Sequence, residues 1–274
     1  LTRIRVTADD DGEVLPAIDK LAKDLRGRMG ESLRQEQATP ALERVSTPSL
    51  DALKKYVQGS RLFAQGGEFA RASALLEEAI QLDTGFAMAY RRLAAEYSNR
   101  GQMERSGQLM QKAYDHRDRL TDEERYLVQA SYYMRGPRQD IAKMISSYET
   151  LIEMKPDNYT ALNNVAIGYR YLRNFAKAEE SLRRSIAVSG PAVSYNQLVW
   201  TLYQMGRRDE AWRLLATYDS VYPATPQRLA RRWELAFAER LYDSASAITA
   251  RVMGTGRDSM IRSYYTDGDA RIAQ

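Results

Sequence analysis

The residue types that carry most enzyme chemistry are nearly missing from this sequence. Its 274 residues include no Cys and a single His, His116. Thiol catalysis, disulfide frameworks and Cys-ligated metals are excluded. A Ser-His-Asp triad, a His-based metal centre or a His acid–base pair has at most one member to draw on. His116 lies in the charged run Asp115-His116-Arg117-Asp118, which reads as surface near a helix end. The run Asp9-Asp10-Asp11-Gly12 has the composition of a calcium loop. It lacks the alternate ligand spacing and the Glu that closes such a loop, so it reads as a solvated turn. Glu77-Glu78 and Glu179-Glu180 are adjacent along helices, do not converge on one reacting atom, and read as solvated faces. Asn158-Tyr159-Thr160 fits the glycosylation sequon and carries little weight alone. There is no Gly-rich phosphate loop and no kinase signature segment. The sequence therefore predicts no catalytic residue, no metal and no cofactor.

The elements behind these residues are more informative. Hydrophobic residues make up 44% of the chain and charged ones 28%, with 40 basic against 36 acidic residues. A mean hydropathy of −0.55 fits a chain that buries a sizeable core. No apolar run approaches the roughly 18–20 residues that cross a bilayer, so direct membrane insertion is not expected. The chain opens on Leu1 and reads as a processed product or a fragment. Its aromatic balance is uneven, with 18 Tyr against 5 Phe and 3 Trp, which points to a repeated use of Tyr.

The repeat is present. Tyr56 and Tyr90 lie 34 residues apart, as do Ala79 and Ala113. Gly67-Glu68-Phe69-Ala70-Arg71-Ala72, Leu76, Ala79 and Leu82 mark one block; Tyr90, Leu93, Ala94, Tyr97, Gly101, Met110 and Ala113 mark the next. Later blocks carry Leu162, Val165, Ala166, Tyr169, Ala178 and Leu182, then Tyr195, Leu198, Val199, Leu202, Gly206, Ala211 and Leu215. Apolar positions fall at three- and four-residue steps broken by a short turn, which predicts two amphipathic helices per block. Small residues recur where helices must cross closely, and large ones fill the grooves around them.

This pattern resembles the tetratricopeptide repeat (TPR). The resemblance covers about three quarters of the chain, in six units starting near Leu53, Ala87, Glu123, Tyr159, Ala192 and Pro226. It implies an all-α fold: a right-handed α-α superhelical solenoid of about six helix pairs. Eight tyrosines fall in the family's large-residue slots: Tyr56, Tyr90, Tyr97, Tyr126, Tyr133, Tyr148, Tyr169 and Tyr195. The third unit has extra residues around Gly136-Pro137 and Met144 in a slot for Ala, which predicts a longer turn and splayed helices. The sixth keeps Ala245 and loses the Tyr and Gly marks, as a capping repeat does.

The expected organisation is a strand–helix arm over 1–34, a linker over 35–50 with Pro40 and Pro48, the TPR array over 51–256 and a polar tail over 257–274. In the arm, Ile4, Val6 and Ala8 alternate with polar residues as in a strand, and Val14, Ile18, Leu21, Leu25 and Met29 form a helical stripe. The arm is either the remnant of an upstream α/β domain or an extension that packs on the first repeat. The junction residues Leu25-Arg26, Gly30-Glu31-Ser32-Leu33, Pro40, Leu42, Val45, Thr47, Ser49-Leu50, Ala52-Leu53 and Tyr56 are similar to those preceding TPR regions in larger bacterial signalling proteins. These are receptor-type Ser/Thr protein kinases and TPR-bearing transcriptional regulators or nucleotide cyclases. This implies a sensory or scaffolding segment, not itself an enzyme, with any catalytic domain upstream.

In TPR arrays the first helix of each unit lines a concave groove. Carrying the inward slots over gives Lys54, Arg61 and Gln65, then Arg91, Arg92 and Asn99, then Ser131 and Arg135. The fourth and fifth units give Asn163, Asn164 and Arg170, and Asn196, Gln197, Trp200 and Tyr203. Amides can satisfy both sides of an extended peptide backbone, Arg forks suit carboxylates, and Trp and Tyr offer apolar anchor area or fill space between units. The expected partner is a protein or peptide with acidic groups. Self-association through an apolar last unit, with Trp233, Phe237 and Leu241, is the alternative. Acidic residues interleaved along almost every helix argue against a nucleic-acid groove.

Overall fold

The computed structural model describes residues 47–64, 69–222 and 226–254, with isolated helical positions at 17, 20 and 21. The strand–helix arm, most of the linker and the C-terminal tail lie outside the described residues. All regular structure among the described residues is helical. Twelve helices form six helix–turn–helix pairs: α1 (Leu50–Ala64) with α2 (Phe69–Leu82), α3 (Ala87–Asn99) with α4 (Met103–Asp115), α5 (Asp122–Arg135) with α6 (Ile141–Met154), α7 (Tyr159–Tyr171) with α8 (Phe175–Ser189), α9 (Ala192–Gln204) with α10 (Arg208–Val221), and α11 (Pro226–Ala238) with α12 (Tyr242–Gly254). Four pairs begin at the residue the repeat register predicts; α1 and α5 begin three and one residues earlier.

The small residues of the register are where helices meet. Ala52, Ala79, Ala113, Ala178, Ala211 and Ala245 are completely buried. At Gly59 in α1 an added Cβ would lie 2.9 Å from the Ala72 carbonyl oxygen of α2, so that crossing tolerates no side chain. Four of the turns inside pairs are built alike. The N–H groups of Gln102, Asn174, Arg207 and Leu241 donate back to the carbonyls of Tyr97, Tyr169, Leu202 and Ala236 at 2.8–3.0 Å. The preceding residue is left-handed in each: Gly101 (φ 74°), Arg173 (57°), Gly206 (76°) and Arg240 (60°). These are Schellman turns, which satisfy the last carbonyls of the first helix and reverse the chain.

The chain divides into two compact units, residues 1–154 and 155–274. In the first, helices pack on their neighbours in sequence and α3 also touches α1 and α5. Ala79, Phe86, Tyr90, Met110, Ala113, Val128 and Tyr132 form a core shared by three pairs. In the second, α9 touches both α7 and α11, and Leu162, Leu182, Leu198 and Leu215 are buried. Each such Leu contributes about 1.5–3 kcal/mol. First helices of successive pairs therefore adjoin within each unit, the layout of a solenoid.

Several expectations need correction. Thr47 of the linker is buried, its hydroxyl bonds to Asp83, and Ser49 accepts the Ala52 N–H at 3.2 Å to cap α1. The linker's end is thus part of the first pair. The longer third turn closes on itself: the Asp140 N–H reaches the Tyr133 carbonyl at 2.9 Å, and the Asp140 carboxylate accepts the Lys143 N–H at the start of α6. Met144 is fully buried. In the sixth pair Trp233 stacks on Phe237 and is packed with Ala236, Ala245 and Trp212. Trp233 is core, and of the three residues assigned to an apolar end only Leu241 is exposed.

Candidate functional site

In the first unit the inward slots stay separate. Lys54, Arg61 and Asn99 are exposed, and Gln65 lies outside the described residues. Lys54 pairs with Asp51 one turn earlier in α1 (3.2 Å). Arg92 pairs with Glu96 in α3 (3.1 Å), and its guanidinium carbon lies 5.5 Å from the centre of the Phe63 ring. Arg91 and Arg92 are half-buried, each with a covered Nε that no acceptor meets among the described residues. Ser131 is buried rather than presented on a face, and Arg135 is half-buried.

The second unit is knitted across helices. Arg170 of α7 donates through Nε to the Gln204 side chain of α9 (3.2 Å) and through Nη1 to that of Gln197. Arg231 of α11 donates through Nε to Asn196 Oδ1 (2.7 Å) and pairs with Glu234 one turn on. Its guanidinium carbon lies 5.0 Å from the centre of the Trp200 ring. Tyr203 stacks on Trp200 at 5.5 Å and 13°, and Arg208 lies 5.8 Å from the Tyr203 ring centre. The result is a column, Arg231–Trp200–Tyr203–Arg208, with alternating attraction between cation and ring. Burial, and then the positive charge of Arg231, push the Arg170 guanidinium below its ordinary pKa, though an Arg still stays charged at any physiological pH.

Asn163 is not on this face. It is 4% exposed; its Oδ1 accepts from Ser194 (3.1 Å) and its Nδ2 donates to Asn164 (3.1 Å). Ser194 in turn bonds Ser185 at 2.8 Å, so a buried polar chain ties α7, α8 and α9 together. The slot rule placed Asn163 in the groove because it counts residues and cannot see a facing hydroxyl. Asn164, Asn196, Gln197, Trp200 and Tyr203 are half-buried, as Arg170 is. Arg231 escaped the sequence reading because the sixth unit lost its marks. It nevertheless has the same offset from its helix start as Arg92, Asn164 and Gln197, and that signal would have found it.

The paired carboxylates are not merely solvated. Glu179 and Arg183 of α8 form a closed ring with Glu210 of α10 and with Arg207, which immediately precedes α10, at 2.5–2.8 Å. Hydrogen bonds to Arg207 above all hold the Glu210 carboxyl low, and those to Glu210 hold Arg207 high. Glu77 accepts from Tyr97 (3.3 Å) and Arg105 (3.2 Å), and Glu78 pairs with Lys55 (2.5 Å). These acids brace neighbouring helices. Among the described residues no three His, Asp or Glu side chains group as a metal site, and no helix is long and apolar enough to cross a membrane.

No family model matches the sequence, and no curated protein matches it. Solved structures do. A thermophilic TPR protein of Thermus thermophilus superposes with a TM-score of 0.54 at 21% identity, over 68% of this chain and 97% of the other. The fold is the tetratricopeptide-repeat fold. The TPR units of this chain also match PilW, described as a widely conserved type IV pilus biogenesis factor (TM-score 0.52, 18% identity, 79% of this chain and 99% of the other). A third match is a chain of the APC/C Cut9–Hcn1 hetero-tetramer, at TM-score 0.55 and 11% identity. It takes in 96% of this chain and 49% of the other, so the TPR chain spans about half the length of that neighbour.

Proposed function

We propose that this chain is a non-enzymatic interaction module that binds an extended segment of a partner protein along its first helices. The observation that carries the reading is the second-unit face, where Gln197, Trp200 and Tyr203 lie half-buried beside the guanidinium groups of Arg170, Arg231 and Arg208. Amides there can pair with a peptide backbone, and the cations favour a partner with acidic groups. The first-unit residues Lys54, Arg61, Arg91, Arg92 and Asn99 extend the same chemistry on a second face. Exposed charges contribute only about 0.2–1 kcal/mol each, so binding in the micromolar range fits better than tight assembly. Two neighbours sharing the fold are described as a pilus biogenesis factor and as part of a hetero-tetramer, which is in keeping with a scaffold. The junction residues ending in Thr47, Ser49 and Tyr56 support a place within a bacterial signalling protein, as its sensory or scaffolding part.

The test is a photo-crosslinking residue placed at Tyr203 on the first-helix face and, separately, at Glu180 on a second helix. Partner crosslinks are expected from position 203 and not from 180. Crosslinks from 180 alone, or from neither, would sink the reading.

A further inference from the structure

The turns inside the pairs of the second unit carry a surface distinct from the inward face. Helices α7, α9 and α11 are each followed by a helix that runs back, so the three run in one direction and end along one edge. A hydrogen bond from Arg170 to Gln204 (3.2 Å) joins the last turns of α7 and α9 there. The turns are Tyr171-Leu172-Arg173-Asn174, Gln204-Met205-Gly206-Arg207 and Glu239-Arg240-Leu241-Tyr242. Tyr171 and Leu172 are 69% and 60% exposed, and Leu241 and Tyr242 are exposed too, so the fold leaves this apolar area in water. Arg173 and Arg240 hold left-handed backbone, φ 57° and 60°, where the turn between them has Gly206. A side chain retained in a strained conformation points to a use for that side chain. Neither makes a side-chain hydrogen bond or ion pair among the described residues. In the first unit, by contrast, Arg100 beside the left-handed Gly101 lies 4.0 Å from the Phe69 ring centre. The other charges of the edge are Lys177 over the Tyr169 ring, Arg208 over the Tyr203 ring, and the acids Asp209, Glu239 and Asp243, while Arg207 and Glu210 belong to the ion-pair ring. Asp209 and Asp243 stand in the first turns of α10 and α12, where a helix N-terminus offsets a carboxylate, and Glu239 is half-buried. Four cations against three partly offset acids leave the edge mildly cationic.

We infer that this edge docks on an anionic lipid surface, with Tyr171, Leu172, Leu241 and Tyr242 in the headgroup layer and Arg173 and Arg240 on lipid phosphates. Tyr and Leu with Arg beside them are the composition of an interfacial anchor: the apolar parts leave water and the long cationic side chains reach the phosphates. A row of turn tips along one edge meets a flat surface at several points at once. The contact is peripheral, since among the described residues no helix is long and apolar enough to span a bilayer. A second copy of the chain fits less well, because a symmetric pairing of this edge with itself sets its cations against their own kind. The docking edge is separate from the first-helix face, and the inference does not depend on what that face binds.

The test is flotation of the full chain with mixed phosphatidylcholine–phosphatidylglycerol vesicles and with pure phosphatidylcholine vesicles. Binding to the mixed vesicles is expected, weaker binding to the neutral ones, and a loss as salt rises. Arg173→Gly and Arg240→Gly should each weaken the partition about fivefold, the share of one cation at an anionic surface. Both changes relieve backbone strain, so a loss of binding in a chain that melts no lower than wild type is not misfolding. Arg184→Gln, an exposed cation of α8 further from the turn, should change the partition less than about twofold. The chain has no cysteine, so Leu172→Cys and, separately, Val221→Cys at the other end of α10 each take one environment-sensitive fluorophore. The mixed vesicles should shift its emission to the blue at 172 and not at 221. Equal binding to neutral vesicles, full binding by both Gly variants, or a shift at both positions or at neither would overturn the docking edge. A shift at 172 that grows with protein concentration in the absence of vesicles would assign the edge to a second copy of the chain and overturn it as well.

Discussion

The two compact units use the same helix-pair plan and spend their inward polar residues differently. In the first, Lys54 and Arg92 each pair with an acid of their own helix, Asp51 and Glu96, and Arg92 also lies over the Phe63 ring of α1. In the second, Arg170 reaches from α7 to α9 and Arg231 from α11 to α9. An ion pair closed within one helix leaves its neighbours unaffected and is worth about 0.3–0.5 kcal/mol. A side chain bonded across helices fixes their spacing and is itself fixed. The contrast separates ion pairs that close within single helices from polar side chains bonded across helices.

The first unit does have cross-repeat ties away from these slots: Glu77 of α2 accepts from Tyr97 and Arg105 of the second pair, and another tie lies at Asp83 behind α2. Its carboxylate accepts from both Nη atoms of Arg119 (3.1 and 3.0 Å), from the Gly85 N–H (3.0 Å) and from Thr47, linking the first pair to the segment before α5 and to the chain preceding α1. Burial by itself would raise the Asp83 pKa; the hydrogen bonds from Arg119, Thr47 and Gly85 outweigh it and hold the carboxyl below its ordinary value. With the folded pKa depressed, the stabilisation is complete above the unfolded value near about 3.9 and is lost as pH falls through the folded one. Asp83→Asn should therefore cost about 1–3 kcal/mol at neutral pH, and the gap to wild type should close below about pH 4. Urea unfolding at both pH values measures it. A cost that does not change with pH would mean the tie is not ionic.

The matching tie in the second unit carries no charge. Asn163→Ala removes the acceptor of the Ser194 hydroxyl inside a buried chain and should cost about 1–2 kcal/mol, equally at neutral and acid pH. Asn164→Ala, at a half-buried position, should cost less. Equal losses from the two would erase the distinction between the buried Asn that joins helices through Ser194 and its half-buried neighbour. A loss at Asn163 that shrank in acid would contradict the contrast with Asp83.

The pairs were legible in the sequence because their signals are local. Ala79 and Ala113 mark close crossings, and three- and four-residue steps mark buried faces, wherever the pair sits in the molecule. The roles of Asn163, Trp200 and Trp233 were not, since each depends on what faces it: Ser194 across a helix boundary, Arg231 thirty-one residues on, and Ala245 in the next helix. The register gives the side of a helix; the neighbour that side meets is a tertiary fact. The same limit hid the acid–base ring of Glu179, Arg183, Arg207 and Glu210, whose members look like ordinary surface charges one helix at a time.

The smallest expected effect concerns the turns, where the units also differ. The described first-unit turn of this kind has Gly at its left-handed position, Gly101, whereas the second unit has Gly206 and two arginines, Arg173 and Arg240. A residue with a Cβ pays about 1–2 kcal/mol in this conformation. Glycine avoids that cost and loses about 0.5–1 kcal/mol through the greater freedom of its unfolded chain. Neither arginine recovers the difference: both are exposed, and their side chains make no hydrogen bond or ion pair among the described residues. Arg173→Gly and Arg240→Gly should each stabilise the protein by about 0.5–1 kcal/mol, while Gly101→Ala and Gly206→Ala should each destabilise it by about 1 kcal/mol. The four substitutions probe one backbone geometry with opposite signs, so thermal melts of the set test the turn assignment without reference to any partner. If the Gly replacements destabilised the chain while the Ala replacements behaved as expected, Arg173 and Arg240 would have to contribute through their side chains, and the second unit's turns would belong with its cross-helix network after all.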